Sequence, residues 1–594
     1  MIADGWVSEN GSTIDLSGPI PWRGHDRSMD FHLNAWGMVY PLLAGFDLLH
    51  DQLYFDVAFK VAVDWCDAHA ADLEAARESP EALITRYEDF AWYDMAVGLR
   101  CYKLAYMLDI VLRQESVGCD VLSRLMRTLI VHLSLLSRED FFRGHTNHGI
   151  YQALGQAAGA RRFQAMPGMS AIYAQAAERV VSLLNQHFFT TGVHKEHSPE
   201  YHYMVFQSFL GAREAGLIGQ SELSLLERIE NALGWMVQPD GRLAGFGDTD
   251  QKRKVKVGGS LLGYRNPETR FILSGGAEGT RPVPGLQLFL DAGYAFARAY
   301  PSGGDAPFVE TTYLAQIAGF HSRTHKHADH LSFVWIDRGE TVVIDPGRYA
   351  YSGRTEVGSA LFQDGFWYSD PKRVYVESTV AHNCVQIDGR NFPRIRTKPF
   401  GSALKGGEYK DGVFVIDSEM RVFRTIRQKR TLVLIPGEFL MILDWIGDSA
   451  RRPHSYVQRF HLAPEWKDVG VTSNRAVFKH CTRDDLVVTA VSLSSEVELS
   501  GPVCGATEPE LLGWIAETPY DLVPAPTFAF AAEGVDTCRF VTLLAFAREL
   551  DFDLREQRIP AALTGGRFTW TADGRVRTVR FSRSDAGEAR IETE

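Results

Sequence analysis

Three histidines and an aspartate fall within six residues in His325-Lys326-His327-Ala328-Asp329-His330. Imidazole and carboxylate at this density suit two kinds of chemistry: holding a divalent metal ion, or moving protons near neutral pH. The cluster opens onto Leu331 to Ile336, an apolar run that predicts a buried strand. A second run, Thr341 to Ile344, delivers Asp345-Pro346-Gly347, and a strand-like segment from Ala381 to Asp388 brings a fourth histidine, His382. A polar turn with exposed histidines is the plain alternative. It leaves unexplained why four such groups gather on consecutive short strands.

Two earlier stretches stand at expected helix starts: Arg143-Gly144-His145-Thr146-Asn147-His148-Gly149 and Glu196-His197-Ser198-Pro199-Glu200-Tyr201-His202. Ser198-Pro199 reads as an N-cap followed by proline at the first helical position. Tyr201 and His202 then fall in the first turn, near the positive end of the helix dipole. Capping alone accounts for either motif taken singly. Lys252-Arg253-Lys254-Val255-Lys256 is the densest basic run. Such a run is usually a solvated face, and in an acidic protein it is also a contact for an anionic polymer. Arg100, Arg143 and Arg348 carry the fork that pairs with sulfate or carboxylate. Trp92, Tyr93, Trp22, Trp36 and His32 offer rings for stacking on sugars, although core packing is their commoner use.

Two unlike halves must hold these groups. From Trp36 to Val237 apolar residues recur at three- and four-residue spacing. Two helices are expected within 36–71, then others at about 90–112, 118–136, 146–158, 168–188, 201–216 and 220–237. Residues 1–35 read as irregular, and one more helix at about 284–299 closes a helical domain spanning 1–300. Pro301-Ser302-Gly303-Gly304-Asp305 reads as a linker. From 308 the period becomes two. Arg430 to Ile435, a Pro436-Gly437 turn and Glu438 to Asp444 predict a hairpin. Strands are expected near 412–417, 454–462, 485–493, 538–546, 567–572 and 577–582. Residues 308–594 thus read as an antiparallel β-sandwich, with room for a smaller terminal sheet. The fold class is α+β and multidomain.

Composition narrows the function. A chain of 594 residues suffices for two or three domains, and 45% hydrophobic with 23% charged residues is ordinary for a globular protein. The net charge of -12 argues against a nucleic-acid partner, so an anionic substrate must be met by a local basic patch. Seven cysteines without paired spacing point to a reducing compartment or to incidental buried thiols. Neither a basic, apolar leader nor an apolar run long enough to span a bilayer is present. No membrane partner is expected. The chain as given reads as cytoplasmic, or as periplasmic or secreted where an export signal has been trimmed.

His325-x-His327-x-Asp329-His330 matches the metal motif of metallo-β-lactamase-like hydrolases letter for letter, with His382 as a downstream ligand. The surroundings argue against that fold. Its motif comes early, after an Asp-x-Gly turn, whereas here Asp345-Pro346-Gly347 follows the motif and a long helical half precedes it. Nearly the whole chain resembles instead the heparinase II/III superfamily of polysaccharide lyases. The likeness rests on the helical half followed by the β half, and on motifs in order. These are Thr146-Asn147-His148-Gly149, Glu196-His197-Ser198-Pro199-Glu200-Tyr201-His202, Gly247-Asp248-Thr249-Asp250 and His325-x-His327-Ala328-Asp329-His330-x-Ser332-Phe333. Asp345-Pro346-Gly347 with Tyr349 and Tyr351, and then Ala381-His382-Asn383, complete them.

The resemblance implies an N-terminal (α/α) toroid, a C-terminal antiparallel β-sandwich, and substrate in the cleft between them. It implies that Asn147, with His148 beside it, neutralises a uronate carboxylate, and that Tyr201 and His325 are the catalytic pair. By the same likeness His327, Asp345 and His382 ligate one divalent ion, zinc by family habit, which is mainly structural. Nitrogen and oxygen donors admit manganese as well. Taken alone, two histidines and an aspartate would leave a position open to water, as in a catalytic zinc site. On an extended segment His325 and His327 point to opposite faces, which suits one to the cleft and the other to the metal. Asp329 and His330 fall outside this set. Tyr349 is expected to line the cleft, and His202, Arg100 and Trp92 are further candidates for substrate contact.

The implied reaction is β-elimination, which cleaves a uronate polymer without water. The C5 proton is barely acidic beside an ionised carboxylate, so neutralising that carboxylate stabilises the enolate-like transition state. A base then takes the proton and an acid protonates the leaving oxygen, each worth roughly 10²–10⁴-fold. Tyrosine ordinarily titrates near about pH 10. Acting as base, Tyr201 needs a lowered pKa, for which a helix N-terminus and nearby His or Arg are suited. Otherwise His325 is the base and Tyr201 the acid; the sequence leaves both open. The substrates implied are glycosaminoglycans (heparan sulfate, hyaluronan, chondroitin sulfate), then alginate or a bacterial exopolysaccharide or oligosaccharide. Two readings of other kinds stand beside this one: a metal-dependent hydrolase using His325, His327, Asp329 and His330, and a non-catalytic carbohydrate-binding protein. Oligomeric state leaves no signal in the sequence.

Overall fold

The computed structural model describes residues 5–8, 11–25, 27–84, 90–114, 117–254, 261–301, 306–395, 397–494, 497–546, 552–553, 565–572, 575–583 and 589–593. Most of the expected linker at 301–305 and the end of the basic run, at 255–256, lie outside them. The chain divides into two compact units, Met1–Phe188 with Val205–Ser224 and Phe189–Met204 with Leu225–Glu594.

The first unit is helical. Val39–Leu49, Gln52–Ala68, Asp94–Gln114, Cys119–Leu136, Asn147–Arg162 and Met169–His187 fall where apolar spacing predicts helices. Their apolar stripes meet in a core built around Trp36, Trp65, Trp92, Leu104 and Leu133. Arg27–Asn34 corrects the irregular reading of residues 1–35. That helix has only eight residues, too few turns for a periodic pattern to register. Asp94–Gln114 and Asn147–Arg162 cross at Gly98 and Gly155, where a side chain at Gly155 would lie 2.1 Å from the Gly98 carbonyl oxygen. Backbone contact at that crossing fixes the register between Asp94 and the start of the second helix. The helices Pro199–Glu214 and Gln220–Met236, also expected, run across the division between the units.

The second unit is mostly antiparallel sheet. A five-stranded sheet runs in the order Gly285–Phe289, Tyr294–Ala299, Thr312–Ile317, Phe333–Asp337, Glu340–Val343. The helix expected at 284–299 is therefore a hairpin. Every residue of Tyr294–Ala299 is buried, and an interior strand shows no alternation to separate it from a buried helix. An eight-stranded sheet contains the expected hairpin, Ile426–Ile435 with Phe439–Asp448, closed across Pro436-Gly437 with Ile435 opposite Phe439. The expected strands near 412–417, 485–493 and 538–546 are Val413–Val422, Val487–Ser492 and Thr537–Ala545 of this sheet. A four-stranded sheet orders Glu498–Cys504, Pro526–Val535, His454–His461 and Val385–Ile387. The three sheets share one core, with Trp335, Leu432, Ile442, Phe460 and Phe528 at its centre. Gly565–Ala572 and Arg575–Arg583 belong to a separate terminal four-stranded sheet. All seven cysteines are free thiols. Among the described residues no helix is long and apolar enough to cross a membrane.

Candidate active site

Ser198 opens the Pro199–Glu214 helix as its cap: its Oγ accepts from the Tyr201 amide at 3.4 Å and donates to the Asp248 carbonyl at 2.8 Å. This one side chain ties the first helical turn to the turn that carries Asp248. Tyr201 is 9% exposed. Its ring lies flat on the His325 imidazole, with centroids 3.5 Å apart and planes at 18°. Its Oη lies 3.0 Å from the Oη of Tyr351.

Asp248 is the hub. Its Oδ2 lies 2.8 Å from His325 Nδ1 and accepts from Tyr351 Oη at 3.0 Å. Its Oδ1 lies 3.0 Å from His327 Nε2 and pairs with the Arg373 guanidinium. Arg373 also grips Glu377, which Arg394 reaches at 3.1 Å. Burial by itself would raise the Asp248 pKa, but Arg373 and the two imidazoles override it and hold the carboxyl well below its ordinary range. His325 and His327 therefore do not face opposite ways. The segment is a turn rather than a strand, His325 sits at φ +55, and both rings reach oxygens of the same carboxylate. Gly247 makes that approach possible. It sits at φ +57, and a Cβ there would lie 2.3 Å from the His325 carbonyl oxygen.

The electrostatics around Tyr201 run against the lowered pKa that a tyrosine base needs. Burial, then the Asp248 charge, push its phenol above the ordinary tyrosine range, and Arg348 and the Tyr351 hydroxyl offset only part of this. Arg348 is itself held by Asp250 at 2.9 Å. His325 Nε2 lies 3.6 Å from a Glu196 carboxylate oxygen.

In the first unit, Asn147 begins the Asn147–Arg162 helix and is buried. His148, with its side chain 29% exposed, has Nδ1 3.0 Å from Asp94 Oδ1, and Arg143 Nε donates to the other Asp94 oxygen at 3.1 Å. Three residues singled out for substrate contact are structural instead. Arg100 is fully buried, donates to the Asn34 and Ala91 carbonyls and lies over the Trp65 ring. Trp92 is buried beside it and donates to Asp72 at 3.0 Å. His202 is fully buried, with Nδ1 accepting from the His194 amide and Nε2 3.0 Å from the Ile229 carbonyl. Tyr349 is 6% exposed and packs against Tyr520 at φ +63.

His327, Asp345 and His382 are all fully buried. His382 Nδ1 meets Asp345 Oδ2 at 3.0 Å, and the two imidazoles lie 5.4 Å apart. Burial pushes His327 down to about 4, so its ring is neutral. His327 Nδ1 and His382 Nε2 find no hydrogen-bond partner among the described residues. Buried imidazole nitrogen without a hydrogen-bond partner is a donor suited to zinc, so these residues fit such an ion by type. Among the described residues, no three His, Cys, Asp or Glu side chains already close on one point. Nor do His325, His327, Asp329 and His330 converge: Asp329 pairs with Lys326, and His330 stacks on Phe392 with centroids 4.5 Å apart.

Sequence models of one family match both halves: Heparinase II/III N-terminus over residues 59–265, and Heparinase II/III-like, C-terminal over 281–508. The chain belongs to the heparinase II/III family of polysaccharide lyases. Among curated proteins none matches the sequence significantly. Solved structures agree in fold. A heparan sulfate lyase HepC from Pedobacter heparinus superposes with a TM-score of 0.67 at 17% identity, covering 98% of this chain and 87% of that one. A structure of heparinase III gives 0.74 at 13% identity, with 98% and 88% covered. A heparinase III with methylated lysines gives 0.70 at 15%, again covering 98% and 88%. The (α/α) helical half followed by antiparallel sheets is thus the family's architecture.

Proposed function

We propose that the chain cleaves a uronate-containing polysaccharide by β-elimination, with His325 taking the C5 proton and Tyr201 protonating the leaving O4. The observation that carries this is the cluster itself: an imidazole fixed on a buried carboxylate, with a phenol ring stacked flat against it. The Asp248 carboxylate 2.8 Å from Nδ1, closer than Glu196 at 3.6 Å from Nε2, favours the tautomer with its proton on Nδ1 and its lone pair on Nε2. Tyr201, held above the ordinary phenol range, is protonated at neutral pH and is a donor. The C5–H electron pair becomes the C4=C5 double bond, the C4–O4 bond breaks, and O4 leaves with the tyrosine proton. No water is consumed. His325 then releases its proton and Tyr201 regains one by exchange with solvent.

Asn147 and His148 are assigned the uronate carboxylate, where a hydrogen bond or positive charge favours the enolate-like transition state. Asp94 orients His148 for this through Nδ1. The names of the solved relatives support a glycosaminoglycan as the first substrate class, with alginate or an exopolysaccharide next. We assign His327, Asp345 and His382 to one divalent ion, zinc before manganese. It would supply fixed positive charge that braces these three segments against one another.

The test is Tyr201→Phe. Removing only the hydroxyl is expected to lower elimination by roughly 10²–10⁴-fold, the scale of one general acid, with melting temperature and metal content unchanged. Near-normal turnover of the variant would overturn the assignment.

A further inference from the structure

The sheet unit holds a cavity of about 600 Å³ that the chemistry above does not use. Arg390, Lys398, Arg421 and Arg424 line it, all exposed, and none of its lining residues is a carboxylate. Arg390 interacts with the Asp388 carboxylate, whereas among the described residues no ion pair holds Lys398, Arg421 or Arg424. Arg421 is the telling case. It stands directly across the strand pair from Arg427, which Glu419 neutralises, while Arg421 itself is left uncompensated. Arg421 and Arg424, both in the lining, are placed to share one anion.

Phe320, His330, Phe392, Phe400 and Phe423 make much of the remaining lining aromatic. Phe400 is 37% exposed, Phe392 forms part of the wall, and the Arg390 guanidinium lies 3.9 Å over the Phe423 ring. His330 is 3% exposed and forms the buried end, and its Nδ1 has no partner among the described residues. A buried polar atom without a partner is costly, and a ligand hydroxyl or acid oxygen reaching it would remove that cost. Cations beside the exposed Phe400 ring match a ligand carrying both anionic groups and C–H faces. The volume suits a few sugar units.

We propose that this pocket is a second saccharide site, which takes the sulfated or carboxylated end of an oligosaccharide. That the anion belongs to a saccharide rests on the lyase reading; the charge and shape of the pocket do not. The test uses the full chain and sulfated maltohexaose, which has no uronate and so cannot undergo β-elimination. Calorimetric titration at low salt is compared between wild type and Arg421→Ala/Arg424→Ala, two exposed positions outside the catalytic cluster. The double variant is expected to bind about tenfold more weakly or worse, since it loses two charge-assisted contacts to the anion. Its melting temperature and uronate turnover should be unchanged, and unsulfated maltohexaose should not bind. Equal affinity in variant and wild type would overturn the proposal. So would inorganic sulfate binding as tightly as the hexasaccharide, which would make the pocket a small-anion site. Because the probe is not a substrate, the pocket can fail while elimination stands, and elimination can fail while the pocket stands.

Discussion

Tyr201 and His325 share one environment but are tuned in different ways. Tyr201 is pushed up by burial and by Asp248, while the same Asp248 grips the His325 ring. If Tyr201 is the acid, its raised pKa keeps it protonated through and beyond the ordinary tyrosine range, about pH 10. The pH profile of kcat/KM should then show no alkaline limb below about pH 9. A limb rising toward alkaline pH would instead mark Tyr201 as a base that must first lose its proton. Both residues were legible from their motifs, Tyr201 in the first turn after Ser198-Pro199 and His325 in the histidine cluster. Asp248 was legible only as a member of the Gly247-Asp248-Thr249-Asp250 motif, with no role assigned to it. Its role depends on Arg373 and Tyr351, 125 and 103 residues away in the chain, and no local pattern signals such a convergence. Arg100, Trp92 and His202 were misread for the converse reason. A buried arginine or histidine that satisfies backbone carbonyls has the same letter in the sequence as one that meets a ligand.

The turn from Ala244 to Asp250 must bring Asp248 against the histidine segment, and it does so by direct backbone contact. The Asp248 amide donates to the His325 carbonyl at 3.0 Å, and the Gly247 amide donates to Asp329 at 3.3 Å. Gly247→Ala would place a methyl against two carbonyl oxygens at a positive φ. It is expected to cost about 1–3 kcal/mol of stability, read by urea denaturation, and to reduce turnover as well because Asp248 and His325 move apart. Stability within a few tenths of wild type would mean the turn is not under this constraint. Asn383 plays a matching part for the strands. Its amide donates to the Phe333 and Ile344 carbonyls at 2.9 and 2.8 Å, and its oxygen accepts from the His461 amide at 2.8 Å. At this scale, period-two and period-3.6 patterning located most helices and the long hairpin. It failed at Tyr294–Ala299, where burial of every side chain erased the alternation, and at Arg27–Asn34, where eight residues were too few.

For the molecule as a whole, a helical half preceding antiparallel sheets could be read from the change of period alone, and the family from motifs spread along both halves. Substrate identity could not, because relatives at 13–17% identity share the fold while their pockets are free to differ. The proposed divalent ion would link site to stability across several segments. His382→Ala is expected to lower bound zinc, measured by plasma mass spectrometry, together with the melting temperature. Full zinc content in the variant would remove His382 from the ligand set. The measurement that decides most is ultraviolet absorbance of purified enzyme incubated with heparan sulfate, heparin, hyaluronan, chondroitin sulfates, alginate and glucuronan. β-Elimination predicts growth of the band of a C4=C5 double bond conjugated to the carboxylate on at least one of these glycans, and loss of that growth in Tyr201→Phe. New reducing ends without that band would contradict it and mark a hydrolase.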